Sequence, residues 1–268
     1  MKYGFIGTGC MGGALATACA KAIGPENILL SNRSPEKARA LAEKLGAIPA
    51  DNETITRDCD VIFLGVKPQT MAQMLLPLQP ILTGRRTPFV LVSMAAGVTI
   101  EALQDMAGGR YPVVRIMPNT ACAVGAGMTT YTCSAEVTDR QRQTVLDALA
   151  ASGLLEEIEE GLMGAASAVA GCGGAYACLF LEGLADGGVL CGLPRKKAQR
   201  MAAQMLLGMA TQALESGEHT GALKDAVCSP AGSTIAGIRK LESMSFRSAA
   251  MEAVIAAWER EREMQQQK

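Results

Sequence analysis

The stretch "YGFIGTGCMGGALATACAKA", residues 3–22, constrains the fold more than any other part of the chain. A short apolar run, Tyr3–Gly7, leads directly into Gly7-x-Gly9-x-x-Gly12, and a helical pattern follows over Gly12–Ile23. In a strand–turn–helix unit each glycine has a task. The first permits a tight turn, the second lets a pyrophosphate approach the backbone, and the third lets helix and strand touch, with the pyrophosphate seated on the helix N-terminus. Strand before and helix after make this a dinucleotide-binding fingerprint rather than a chance run of glycines.

The rest of the first half keeps the same alternation. Apolar runs at Ile28–Ser31, Val61–Val66, Phe89–Ser93 and Val113–Met117 predict strands, and Pro35–Leu45, Gln69–Leu76 and Ile100–Ala107 predict helices between them. A further strand at Gly127–Cys133, a helix at Asp139–Ala151 and a short strand at Leu154–Ile158 complete the set. Strands that alternate with helices predict a parallel sheet covered on both faces. After about Glu160 the Val/Ile runs give way to long Ala/Leu/Met/Gly helical patterns. The expected fold class is therefore α/β: an N-terminal Rossmann-like doubly wound sheet over 1–160, then an all-α domain over 161–268. "LPRKKAQRMAAQMLLGMATQALESG" opens with Pro194 and stops at Gly217, as a helix does. Arg195–Lys197 reads as its solvated face, Arg247–Arg262 as a last helix with Trp258 as a core or interface anchor, and 264–268, "MQQQK", as a frayed end.

The end of the second strand, "LLSNRSPEKA", offers Asn32, Arg33 and Ser34 where an NAD-preferring fold offers an acid to the ribose 2′-hydroxyl. A guanidinium and two hydrogen-bonding side chains suit a 2′-phosphate, so the expected cofactor is NADPH, with NADH as the lesser alternative. Ser34-Pro35 also reads as a capped helix start.

Composition excludes several classes. With 49 % hydrophobic but only 4 % aromatic residues, the core must be built from Ala, Leu, Ile, Val and Met. A net charge of −1 without a basic block recommends no nucleic acid and no anionic membrane as partner. Nine cysteines, odd in number and never in a Cys-x-x-Cys pair, read as small buried hydrophobes in a reducing compartment, and with one histidine, His219, no metal site is expected. Two uncharged spans, Tyr3–Ala20 and Gly161–Leu181, are long enough to mimic membrane helices, but each carries five glycines. The second reads as a helix buried on all sides, inside the protein or between subunits. A cytoplasmic location follows from the lack of a recognisable targeting segment.

Near the C-terminus stands "DAVCSPAGSTIAGI", residues 225–238, in which Val227–Ile235 carries no charge, histidine or aromatic. Proline, glycine and two hydroxyl residues before an apolar pattern describe a helix N-terminus, with Ser233 or Thr234 as N-cap and no Glu or Gln to complete a capping box. Its free N–H groups suit an anion. An ordinary turn into an ordinary helix would look the same.

Taken together, the glycine fingerprint, "NRS", "VKPQ" (66–69), "SMAAGV" (93–98), "RIMPNT" (115–120) and "LKDAVCSPAGSTIAGI" resemble the pyrroline-5-carboxylate reductase family from end to end. The resemblance implies reduction of the cyclic imine 1-pyrroline-5-carboxylate to L-proline, the last step of proline biosynthesis, on a Rossmann domain followed by a helical dimerisation domain. It places the cofactor against Ile6, Gly7, Thr8, Gly9, Cys10, Met11 and Gly12, then Asn32, Arg33, Ser34 and Asn52, then Val66, Lys67, Pro68 and Gln69, then Met94, Ala95 and Ala96, with Asn119 and Thr120 bordering the nicotinamide. It places the substrate carboxylate on Ser229 and on the N–H groups of Gly232, Ser233 and Thr234, the catalytic Thr234 hydroxyl on the ring nitrogen, and Glu160 at the pocket's border. It also implies a homodimer with intertwined helices, and decamers as rings of five dimers.

Some positions depart from the family's pattern. "GCGGAY" stands for "GSGPAY", so the kink expected from proline must come from glycine at Gly174, with Cys172 in place of serine. Gly164 replaces a common aspartate and Ala226 a common asparagine, and cofactor contacts there are expected to be lost. Two other readings remain open at this point. One is a 3-hydroxyacid dehydrogenase-like reductase with Lys224 as its catalytic lysine; the other is an NADP-binding paralogue acting as a sensor, favoured by Cys172, Gly174 and Ala226.

Overall fold

The computed structural model describes residues 1–266, and Gln267 and Lys268 lie outside the described residues. Two compact units are present: Met1–Cys172 together with the chain from Ala257, and Gly173–Ala256.

The first unit is an α/β layer structure. In chain order it contains β1 (Tyr3–Ile6), α1 (Cys10–Ile23), β2 (Ile28–Ser31), α2 (Pro35–Leu45), β3 (Ile48–Pro49), α3 (Asn52–Asp58), β4 (Val61–Leu64), α4 (Pro68–Leu75), α5 (Gln79–Gly84), β5 (Val90–Ser93), α6 (Ile100–Ala107), β6 (Val113–Pro118), β7 (Gly127–Cys133), α7 (Asp139–Leu149), β8 (Gly153–Glu157) and α8 (Met163–Ala166). The strands form one sheet in the order β3-β2-β1-β4-β5-β6-β7-β8. Strand order reverses between β1 and β4, which places a ligand crevice at their carboxyl ends.

Alternation along the strands divides the core into two layers. Phe5, Phe63, Val92, Val114 and Ile116 pack with Leu15 and Cys19 of α1 and Val145 of α7 on one face. Ile6, Ile62, Leu64, Leu91 and Val113 pack with Ile55 of α3, Met71 of α4 and Leu103 of α6 on the other. The register pairs Phe5 with Phe63, and their rings stack at 4.3 Å. This is the covering on both faces that near-continuous apolar strands require.

The sheet departs from the expected all-parallel form at one place: β7 runs antiparallel to β6, and β8 then runs parallel to β7. The short return after Pro118, a 3-10 turn over Thr120–Val124, leaves no room for a crossover helix, so the chain folds back as a hairpin. β3, α3 and α5 have no counterpart in the sequence reading. β3 is two residues long, and "NETITRD" of α3 is held by its Asp51 cap, which accepts from the Thr54 N–H at 2.7 Å, rather than by an apolar stripe.

The second unit is helical: α9 (Gly173–Leu190), α10 (Arg195–Ser216), α11 (Thr220–Ala226), α12 (Ser233–Ser243) and the first part of α13 (Phe246–Gln266). Gly217 ends α10 in the left-handed region, and Arg195 pairs with Asp186 of α9. Tyr176 Oη donates to the Ala253 carbonyl at 3.1 Å, and Phe180 packs on Phe246 at 5.5 Å. His219 has a structural task, because its Nδ1 accepts the Gly221 N–H and caps α11.

Several expectations about this half change. By compactness alone the α/β unit includes the chain as far as Cys172, and Glu160 and Ala170 are both tied by hydrogen bonds to residues of that unit. The span Gly161–Leu181 is not one buried helix. It passes through α8 and a π-helical turn at Ser167–Gly171, where the Cys172 N–H reaches back to the Ser167 carbonyl, before α9 begins. That π turn, rather than Gly174, makes the break. Within the chain the span is largely uncovered, with Val169 60 % and Leu179 71 % exposed. Glu160–Leu190 is, by length and composition alone, apolar enough to cross a membrane. Four of the cysteines, Cys10, Cys172, Cys178 and Cys191, are exposed rather than buried, and all nine are free thiols. The last helix runs through Gln266, so 264–266 of the expected frayed end are helical, and 267–268 lie outside the described residues.

Candidate functional site

The glycine turn is built as the fingerprint requires. Gly7 sits at φ +97°, and a side chain at Gly12 would collide with the Gly7 carbonyl oxygen. Gly9 is the N-cap of α1, so the helix begins at Cys10, two residues before the predicted start at Gly12, and no side chain caps it. Gly13 N–H returns to the Gly9 carbonyl at 2.8 Å, while the N–H groups of Cys10, Met11 and Gly12 have no acceptor. Beside them Thr8 is buried with its hydroxyl unpartnered. A row of unpartnered donors at a helix start is what a pyrophosphate needs, so these residues fit the dinucleotide.

At the carboxyl end of β2 a cleft of about 780 Å3 is lined by Ser31, Asn32, Pro35, Arg39, Ala50 and Asn52. Ser31 Oγ donates to Asn52 Oδ1 at 2.5 Å and fixes its amide. Ser34 is the N-cap of α2 but its hydroxyl makes no capping bond, which leaves it free for a ligand. Arg33 is exposed and is not part of this cleft's wall; Arg39, one turn further along α2, is. Arg39 carried no signal in the sequence, because a lone arginine within "PEKARALAEKL" is indistinguishable from a solvated helix face.

The remaining expected cofactor positions divide by burial. Ile6 and Ala95 are 2 % exposed with side chains in the core, so only their backbone faces the crevice. Val66, Pro68 and Met94 are half-buried, and Lys67, Gln69 and Ala96 are exposed. Lys67 forms the N-cap of α4. The Asn119 amide is tied into the turn after β6: Oδ1 accepts from Ala121 and Met128 N–H at 3.2 and 3.3 Å, and Nδ2 donates one bond to the Ala170 carbonyl at 3.0 Å. Thr120 is exposed beside it.

In the helical unit the turn before α12 corrects the expected cap. Gly232, not Ser233 or Thr234, is the N-cap, with φ −76° and ψ 168° and no side-chain bond. A side chain at 232 would collide with Ser229 Oγ, so glycine takes the capping place and the two hydroxyl residues become the first two of the helix. The Gly232 N–H is already used, donating to the Ser229 carbonyl at 3.0 Å. Among the described residues the Ser233 and Thr234 N–H groups have no acceptor, and Ser229, Ser233 and Thr234 are all exposed. The turn thus offers two free N–H groups where the sequence suggested three. Ala231, at φ +57°, holds the turn in a strained left-handed conformation for a residue with a Cβ.

Glu160 belongs to the α/β unit. Its Oε1 accepts the Ile100 N–H at the start of α6 at 2.7 Å and pairs with Arg115 Nη1 at 3.0 Å. Arg115 is 3 % exposed, an unusual burial for a guanidinium in mid-strand, and the strand "VVRIMP" marks it in the sequence as the one charge among apolar neighbours. Beside Gly164, the Glu261 carboxylate lies 3.8 Å from where a side chain at 164 would begin. Burial pushes the Glu261 carboxyl up, against the lowering effects of a hydrogen bond from Ser167 and of the Arg115 charge. Burial likewise raises Cys59 to about 12 and Cys133 to about 11, which keeps these thiols protonated and inert.

Comparison with known proteins gives this geometry a family. The profile for pyrroline-5-carboxylate reductase dimerisation matches residues 160–264, and that for NADP oxidoreductase, coenzyme F420-dependent, matches 2–97. The pyrroline-5-carboxylate reductase of Methanosarcina acetivorans is 40 % identical over 98 % of this chain and 97 % of its own length. The chain belongs to the pyrroline-5-carboxylate reductase family. The Escherichia coli member is 38 % identical over 97 % of this chain and 96 % of its own. A crystal structure of the Plasmodium falciparum pyrroline carboxylate reductase with NADP bound superposes with a TM-score of 0.87 at 34 % identity, covering 99 % of this chain and 98 % of that one. The chain is thus an oxidoreductase with a Rossmann-type nucleotide domain and a dimerisation domain, and its cofactor is a nicotinamide dinucleotide.

Proposed function

We propose that this chain reduces 1-pyrroline-5-carboxylate to L-proline with NADPH, and that the turn Ser229–Thr234 holds the substrate carboxylate. The observation that carries the assignment of the turn is the pair of free N–H groups at Ser233 and Thr234 on an exposed helix start. NADPH, when bound, supplies the hydride. The substrate nitrogen is basic, so the imine is already an electrophilic iminium once protonated, and addition of hydride to its carbon leaves the secondary amine of proline. Little acid–base work remains for the protein. Thr234 orients the ring through a hydrogen bond; a threonine hydroxyl is too weak an acid to be the primary proton source. Binding and orientation then supply most of the rate enhancement.

The cofactor residues divide by task. Gly7–Gly12 receive the pyrophosphate, Asn32, Arg33, Ser34 and Asn52 receive the adenosine ribose and its 2′-phosphate, and Val66–Gln69 and Met94–Ala96 present backbone to the remainder. Glu160 fixes Arg115 and the start of α6. Lys224 is paired with Asp225 at 2.6 Å, which speaks against its use as a free catalytic lysine.

The assembly proposed is a homodimer made through the helical domain (161–268), with rings of five dimers as the higher form. A cytoplasmic location, without nucleic acid or membrane as partner, is supported by nine free thiols and a net charge of −1. The test is NADPH oxidation with 1-pyrroline-5-carboxylate, by wild type and by Thr234→Ala, with NADH as alternative cofactor. Turnover that falls in the variant with NADPH affinity unchanged is expected. NADPH binding without turnover by wild type would overturn the assignment in favour of a sensor.

A further inference from the structure

A second polar cavity lies in the α/β unit, away from the glycine turn. It measures about 380 Å3 and is walled by Thr99, Arg115, Glu160, Trp258, Glu261 and Arg262, with Gly164 at its floor. Two of its groups are buried and incompletely satisfied. Glu261 is 7 % exposed with Oε1 unpartnered, and the Arg115 side chain is 4 % exposed with Nε unpartnered. Such groups are destabilising unless something pairs with them. Glu160 cannot do so for Glu261, being an acid itself and already engaged by Arg115 and Ile100. Arg262 stacks on the Trp258 ring at 4.9 Å, which holds a second guanidinium at the rim.

We propose that this cavity binds a small amino-acid zwitterion, its carboxylate on the Arg115 and Arg262 guanidinium groups and its ammonium on Glu261 Oε1. A simple anion would meet the carboxylates of Glu160 and Glu261, and a simple cation would meet two guanidinium groups; only a ligand with both charges satisfies both walls. The volume is at the small end for a ligand site and suits one amino acid rather than a nucleotide. Gly164 keeps the space open, since a side chain there would start within 3.6 Å of Trp258 Cδ1. The π turn at Ser167, which lies beside Glu261 and lowers its carboxyl, fits a site maintained for function. The proposal goes beyond the reductase reading and does not rest on the turn at Thr234.

The experiment is calorimetric titration of Thr234→Ala, which removes the orienting hydroxyl of the proposed substrate turn but keeps its N–H groups, with L-proline, acetate and pyrrolidine as probes, and the cavity variants below separate binding there from binding at the turn. L-proline should bind, with acetate and pyrrolidine at least tenfold weaker. Adding Glu261→Gln, or independently Gly164→Leu to fill the space, should weaken L-proline at least tenfold, with the folded state of each checked by circular dichroism. No L-proline binding to Thr234→Ala, equal binding of acetate, or unchanged affinity in both added variants would overturn the proposal. Turnover of 1-pyrroline-5-carboxylate by Glu261→Gln, measured separately, distinguishes that failure from a failure of the reductase reading.

Discussion

The two units solve the problem of burial in opposite ways. The α/β unit encloses its own core: Phe5, Leu15, Ile55 and Phe63 are at most 1 % exposed, and two continuous apolar layers lie on either side of the sheet. In the helical unit the buried hydrophobic residues, among those described, are Ala185, Ala198, Ala202 and Leu223. Its larger apolar side chains stand uncovered, with Leu190 89 %, Leu214 74 %, Met201 57 % and Leu207 56 % exposed. Small residues inside and large ones outside invert the ordinary pattern of a soluble helical domain. The lesson is that the first unit is complete as a single chain and the second is not, which is the physical content of a dimerisation domain.

The strongest way to break this comparison is to charge the helical face. Leu207→Glu should dissociate the assembly and abolish turnover, read by size-exclusion chromatography with light scattering. Leu76→Glu, a still more exposed leucine at 64 % in the α/β unit, should leave assembly intact. The reverse result would refute the contrast. Next in size is the core of the α/β unit, where Phe63→Ala should lose about 3–5 kcal/mol in urea unfolding, whereas Met201→Ala in the dissociated chain should stay within about 0.5 kcal/mol.

A smaller and more local effect is expected at the turn before α12. Gly232→Ala forces a side chain onto Ser229 Oγ, and strain on the order of 1–3 kcal/mol should raise KM for the pyrroline about tenfold, with KM for NADPH unmoved. The smallest effect concerns Glu261 and depends on pH. Its carboxyl is raised in the folded state, so the protonated form favours folding, and that contribution is lost as pH rises through the raised value. The charged groups facing it are Arg115, Glu160 and Arg262. Glu261→Gln should therefore match wild type in thermal midpoint below about pH 4 and exceed it increasingly above the ordinary glutamate range.

Much of this was legible in the residues, for identifiable reasons. β1, β2, β4, β5 and β6 are strongly apolar runs, and the glycine turn announces itself because each glycine answers a separate steric demand. β3 and α3 were not legible, since two residues carry no period and a polar helix held by Asp51 shows no apolar stripe. The antiparallel turn of β7 depends on loop geometry after Pro118 rather than on strand composition. At the site, "SPAGST" located the helix start but not its cap. The choice of Gly232 rests on the position of Ser229 Oγ, a contact that no spacing rule contains. Glu261 was invisible for a related reason: it acquires its meaning from Arg115 and Gly164, both distant in sequence.

The two margins of the sheet carry a further consequence. At one end β3 offers two residues, one of them Pro49, which has no N–H to give; at the other β8 ends in the exposed pair Glu156 and Glu157. Neither margin presents a long uncharged template for a visiting strand. Growth by β-addition, the usual route from an open sheet to a filament, is disfavoured at both borders, which leaves the bare aliphatic surface of the helices as the surface for association.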